Sequence, residues 1–422
     1  MRNSINTFGK QTIPLFLLLA ISFFALSAEA KYGGGTGEPN NPYLIFNADH
    51  MNTIGIDPND WVKHFRLMAD IDLSAFTGTE FNIIGTSLYD PFSGVFDGNG
   101  LTISNFTYTS TGTSYIGLFG YVWRGQIKDL GLIDPNLDVA SGEYFGSLVG
   151  EIKEGTITNC HVEGGSVSGD DTVGGLCGRS DISKINNCYS TASVSGDWLV
   201  GGIMGSISYG SMTNCYSSGD VSGGNFVGGL AGGNFGDTSD CYATGSVSGV
   251  DTVGGLVGGN GNLVFEGTIT NCYSAGPVTG TTNVGGLVGD NLVTVSTSFW
   301  DVNASGLDYS DGGVGKTTVE MQIKSTFTSA GWDFVGETVN GPNDIWDICE
   351  GTNYPRFLWQ IPIGDFLCPD GVNFFDYSFF AEQWAEENCG VSNDCGGRDL
   401  DKLGSVDIKD LRIFANNWLA GL

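Results

Sequence analysis

The densest set of metal-ligating side chains lies near the C-terminus, in the run Asp399-Leu-Asp-Lys-Leu-Gly-Ser-Val-Asp-Ile-Lys-Asp410. Carboxylates occupy positions 1, 3, 9 and 12 of this loop, as Asp399, Asp401, Asp407 and Asp410, and Gly404 stands at position 6. Ser405 at position 7 would offer its backbone carbonyl. Calcium takes six to eight oxygens, and this spacing wraps them around one point. Two departures reduce the expected affinity, or leave a gap for water. Leu403 fills position 5, where a side-chain oxygen is usual, and Asp410 is shorter than the usual glutamate. A degraded copy precedes it: Asp365, Asn373 and Asp376 remain, while Leu367 and Pro369 replace ligands.

Each loop feeds a helical pattern. Val372-Asn-Phe-Phe-Asp-Tyr-Ser-Phe-Phe-Ala-Glu-Gln-Trp384 aligns with Val406-Asp-Ile-Lys-Asp-Leu-Arg-Ile-Phe-Ala-Asn-Asn-Trp418. Val, Asp, Phe, Ala and Trp recur at one offset, which puts Phe380, Trp384, Phe414 and Trp418 on the faces to be buried.

Catalytic patterns are sparser. Asp170, Asp171, Asp197 and Asp251 precede glycine-rich segments and could line one edge. A glycosidase needs two carboxylates facing one sugar linkage. These four read as solvated turn residues. A lyase acting on acidic sugars would want a basic residue and basic subsites. Between Ala140 and Trp300 the basic residues besides His161 are Lys153, Arg179 and Lys184. No nucleophile–histidine arrangement suggests itself around His50, His64 or His161. The chain is therefore expected not to be an enzyme, with a polysaccharide hydrolase or lyase as the runner-up.

Composition narrows the partners. Acidic residues number 47 against 17 basic ones, for a net charge of −30. Phosphate binding needs clustered Lys and Arg, so nucleic acid is excluded as a partner, and an anionic membrane surface is disfavoured. Residues 1–30 read as a signal peptide. Arg2 and Lys10 are basic, Leu15 to Leu26 is apolar, and Ala28-Glu29-Ala30 is a cleavage motif. No later stretch reaches the ~20 apolar residues of a spanning helix. The expected mature chain is secreted or held at the cell surface, without a membrane span.

The elements that must carry these groups come from a repeat. Cys160, Cys188, Cys215, Cys241 and Cys272 each sit in an Asn-Cys-Tyr-like step, and each step is followed by a VGGLVG-like hexapeptide. The period of about 27 residues suits three short strands and three turns. One strand is the hexapeptide, one the Asn-Cys-Tyr step, and one centres on Val167, Val194, Val221, Val247 and Val278. The glycine pair should bend the chain so that Val and Leu of the hexapeptide both face inward. The five cysteines should stack as unpaired core thiols, with Cys177 also in the core. The preceding Asn should form an internal hydrogen-bonding ladder. Cys349, Cys368, Cys389 and Cys395 lie outside the repeats and are the disulfide candidates.

The fold expected is mainly β: a right-handed parallel β-helix followed by a small α-helical domain. An N-terminal cap and first coils are assigned to residues 31–115, the solenoid to 116–300, a C-terminal cap and linker to 301–362, and the helical domain to 363–422. Trp332, Trp346 and Trp359 in the third segment serve either to pack the cap or to stack on sugar rings.

The hexapeptide and Asn-Cys-Tyr step resemble the GLUG motif of bacterial surface and secreted proteins, over about Gly94 to Trp300. Some immunoglobulin-A-cleaving metallopeptidases and haemagglutinin-like adhesins carry it as well. The resemblance implies a repeat scaffold and brings no catalytic residue. The zinc peptidases need His-Glu-x-x-His, a string this chain lacks. The duplicated loop-helix tail resembles a type I dockerin, an EF-hand-like module. That implies calcium at the second loop and, in degraded form, at the first. It also implies a cohesin-like or cell-surface scaffold partner. The whole then reads as a calcium-attached scaffold or adhesin that binds extracellular polysaccharide or protein.

Overall fold

The computed structural model describes residues 31–261, 267–367, 371–387, 389 and 398–420. The expected signal peptide lies outside them, as do Cys368, Pro369 and Cys395. The chain is mainly β and winds into a parallel solenoid of about eight turns.

Three columns of apolar side chains build its core. Leu137, Val167, Val194, Val221, Val247 and Val278 stack in register in a seven-stranded parallel sheet. Phe145, Val173, Val200, Val227, Val253 and Val284 do the same in a six-stranded sheet. On the third face Ile127, Ile157, Ile185, Met212, Thr238, Ile269 and Val295 align rung on rung. β-Branched residues suit such a surface, buried on its inner face.

The hexapeptide bends as expected: Val173 and Leu176 are both fully buried. The reason glycine is needed is spatial. The glycines that take the left-handed region do not include Gly174 or Gly175. A Cβ on Gly175 would sit 2.2 Å from the carbonyl oxygen of Gly202 on the next rung. In the repeats the left-handed place just before each cysteine falls to a non-glycine residue. Asn159, Asn187, Asn214, Asp240 and Asn271 have φ between +49° and +54°. Asn and Asp tolerate that conformation best among residues with a side chain.

The five repeat cysteines are fully buried and free, as is Cys177. They form a column: the backbone N–H of Cys188 points to Cys215 Sγ at 3.4 Å, and that of Cys215 to Cys241 Sγ at 3.4 Å. Cys349 and Cys389 each take part in a disulfide.

The N-terminal cap is a helix, Ala48–Ile56, started by the Asn47 side chain, which accepts from the His50 N–H. Trp61 is buried against it and donates to the Ile54 carbonyl at 2.7 Å.

The C-terminal segment differs from a simple end cap. Phe299–Asp301 and Val314–Lys316 form the last pairing. The chain beyond Lys316 then turns back along the flank as a strap that packs on a column of rings. Tyr189, Tyr216, Tyr242 and Tyr273 stack at 4.8–4.9 Å between centroids, with planes 5–6° apart. His161 extends the stack at 4.9 Å. Trp332 and Trp346 are fully buried over this column, and Trp346 lies 6.1 Å from the Tyr242 ring. Gln360 donates to the Tyr242 hydroxyl at 2.7 Å, and the Tyr273 hydroxyl donates to the Pro355 carbonyl at 2.6 Å. All three tryptophans therefore pack on the column, and Trp359, 5.8 Å from the Tyr216 ring and 6.0 Å from the Tyr189 ring, stays half exposed.

Candidate functional site

The C-terminal segment folds as two related halves. Helices Phe374–Ala381 and Ile408–Asn416 each start from a capping box, made by Asn373 with Asp376 and by Asp407 with Asp410. Backbone bonds are exchanged symmetrically. Val372 donates to Ala420 and accepts from Leu419, while Val406 donates to Glu386 and accepts from Ala385. Leu419 and Ala385 occupy matching places and share a left-handed backbone, φ +66° and +67°. Phe380 and Phe414 stack at 5.3 Å in a small core with Val372, Val406 and Cys389.

This frame gathers the second loop's acids. Oxygens of Asp399, Asp401 and Asp410 lie within 4.8 Å of one another. Asp399 and Asp410 are buried and Asp401 is half buried. Backbone amides tighten the loop around them. Gly404 N–H donates to Asp399 at 2.8 Å, Leu403 N–H to Asp401 at 3.0 Å, and Asp401 N–H to Asp410 at 2.9 Å. Gly404 takes φ +94°, which glycine permits. Among the described residues no Lys or Arg forms an ion pair with the three acids. Burying like charges this close is costly unless a cation joins them. The donor set is all oxygen, which suits calcium. Asp407 caps the helix by accepting from Lys409 N–H at 2.7 Å and stands outside the three-acid cluster, and Ser405 bridges to Glu387.

The first loop is arranged differently. The guanidinium of Arg356 stands 3.6 Å from Asp365, whose side chain is almost fully buried. Asp376 is buried and accepts from the N–H groups of Phe366, Leu367 and Asn373 at 2.7–3.0 Å. Arg356 thus supplies by side chain the positive charge that a cation would bring.

On the solenoid, Asp170 and Asp197 are exposed turn residues, and Asp251 is half buried in register with Asn225. Asp171 is different. It stands in register with Glu143 on one rung and Trp198 on the other. Burial pushes its carboxyl above the ordinary range, and the charges of Glu143, Asp170 and Asp197 add to this. Across a groove, Glu151 faces Arg179 at 3.4 Å. Burial likewise raises the Glu151 carboxyl, and Arg179 opposes the shift. The sequence reading missed Glu143, Glu151 and Trp198. The available signal was that these rungs depart from the repeat's own pattern of small residues.

Comparison with known proteins fits this geometry. The family model described as the GLUG motif matches residues 169–195, 196–222 and 250–279. The solenoid carries GLUG repeats. A stretch of 167 residues, 37% of the chain, is 31% identical to halomucin of Haloquadratum walsbyi but spans 2% of that protein. Another of 155 residues is 33% identical to a "putative Gly-rich membrane protein" of Evansella cellulosilytica, covering 35% of this chain and 18% of that one. Among solved structures, a "putative immunoglobulin A1 protease" from Bacteroides ovatus superposes with a TM-score of 0.52 at 23% identity. The match covers 78% of this chain and 95% of that one.

The last likeness corrects one expectation. The GLUG-bearing chain was expected not to be an enzyme, yet its fold is shared with a protein described as a protease. Neither the solenoid nor the missing His-Glu-x-x-His string is therefore ground for excluding catalysis. At this identity the likeness shows the fold alone.

Proposed function

We propose that the chain is an exported surface protein in which a calcium-clamped tail docks the GLUG solenoid onto a scaffold. The observation that carries this reading is the convergence of Asp399, Asp401 and Asp410 within 4.8 Å, two of them buried. Calcium there would be held by these carboxylates together with the Ser405 carbonyl, and Asp407 would act through water. The bound ion supplies charge neutralisation, which locks the loop and so the start of the following helix.

What that locking presents is an apolar face. Phe374 and Phe375 follow one N-cap and Ile408 follows the other, and they are 76%, 68% and 67% exposed. Exposed apolar side chains at both helix starts of so small a domain favour a protein partner over solvent. The partner is a cohesin-like or cell-surface scaffold protein. The solenoid then projects a long flank toward extracellular polysaccharide or protein. Surface placement draws support from halomucin and from the glycine-rich membrane protein, as those relatives are named. No helix among the described residues is long and apolar enough to cross a membrane.

Surface plasmon resonance of the intact chain over immobilised type I cohesin modules tests the docking. Binding in calcium that vanishes in EGTA, and in the double substitution Phe374→Asp with Ile408→Asp, supports it. Binding indifferent to calcium, or none to any module, refutes it.

A further inference from the structure

One flank of the solenoid breaks its own pattern. In the strand after the glycine pair, one column runs Glu151, Arg179, Ser206, Gly233 and Gly259 from rung to rung. The corner is built equally well with Ser and Gly, so the charged pair is not required by the fold. The facing column runs Glu143, Asp171, Trp198 and Asn225. Between them lies a cavity of about 370 Å³, edged by Ser206 and Ser208. Trp198 is 42% exposed, and its ring is held from one side by Phe226 at 4.9 Å. Arg179 lies over the Tyr144 ring at 5.7 Å while facing Glu151 at 3.4 Å, so its head is fixed in place.

We propose that this groove binds a neutral polysaccharide chain. The inference deepens the reading of the solenoid as the ligand-bearing part of the molecule, and it rests on that reading. The exposed indole face offers a stacking surface for a sugar ring. Glu143 and Asp171 accept hydrogen bonds from hydroxyls, and the serines both donate and accept. Charge selects against acidic sugars. Glu151 is paired with Arg179, and Asp181 with Lys153 at 2.7 Å, so Glu143 and Asp171 leave the groove net negative. Strands spaced ~4.8 Å apart set these groups in a line along the solenoid axis, suited to an extended chain.

Affinity electrophoresis of the intact chain tests this in gels containing hydroxyethyl cellulose, glycol chitin, xylan, glucomannan or polygalacturonate. The expected result is retardation by at least one of the four neutral polymers and none by polygalacturonate. Trp198→Ala should weaken the retardation about tenfold. Trp359→Ala, at an exposed ring outside the groove, should leave it unchanged. Retardation equal in Trp198→Ala overturns the groove while leaving polysaccharide binding standing. Retardation by polygalacturonate alone overturns the charge argument and the proposal with it. No retardation in any gel overturns the groove and polysaccharide binding with it, while extracellular protein still stands as the solenoid's target.

Discussion

The side-chain amide of Asn271 donates to the carboxylate of Asp240 across 3.2 Å. This contact is one step of the corner ladder, in which Asn159 donates to Asp129, Asn187 to Asn159 and Asn214 to Asn187 at 2.9–3.2 Å. Asp240 breaks the chain of donors. It occupies an asparagine place without an amide to give, and the Oδ1 of Asn214 is buried without a partner.

Asp240→Asn should therefore stabilise the protein at neutral pH. Burial raises the Asp240 carboxyl, partly offset by hydrogen bonds from Asn271 and Trp346. A raised folded-state carboxyl favours folding below the unfolded value near 3.9, and that benefit is lost as pH rises through the folded value. At pH 7 the substitution removes a charge penalty and restores a donor, for a gain of about 1–2 kcal/mol by denaturant titration. Near pH 3 the gain should shrink, because the wild-type acid then carries its own proton. An unchanged or lowered midpoint at pH 7 would refute the ladder reading.

The strap should depend on its buried rings. Trp346 is fully buried between Tyr242, Tyr273 and Phe357, and its ring lies 4.5 Å from that of Phe357 at a 30° tilt. Trp346→Ala should cost about 3–5 kcal/mol. Limited proteolysis should show new cleavage between residues 321 and 360 ahead of any in the coils. A cleavage pattern identical to wild type would contradict lateral packing on the tyrosine column.

Thiol chemistry checks the cysteine column. Burial pushes the Cys160 thiol up to about 12, so both access and ionisation oppose reaction. The native protein at pH 8 should leave Cys160, Cys177, Cys188, Cys215, Cys241 and Cys272 unmodified by iodoacetamide, and guanidinium should expose all six. Mass spectrometry that finds any of them alkylated in the folded state would count against the core placement.

How much of this was legible follows from how a solenoid uses its sequence. Each repeat position meets the same neighbours on every rung, so the Val and Cys columns and the Asn corner could be read from recurrence alone. The duplicated tail was legible for the same reason, since Val372 and Val406 do equivalent work. The strap was not. Tyr189, Tyr216, Tyr242 and Tyr273 sit at outward positions, and nothing local says that Gln360, 118 residues beyond Tyr242, returns to meet them. The role of the glycine pair was inferred as conformational and proved to be clearance between rungs. The pairing of Asp365 with Arg356 was likewise invisible, because two residues from different segments had to meet.

Whether calcium sits in the second tail loop is decided by calorimetric titration of the calcium-stripped intact chain. The expected result is binding at one site per chain that disappears in Asp399→Ala, while the Asp240→Asn chain still binds. A trace without heat, or binding that Asp399→Ala leaves untouched, would contradict it.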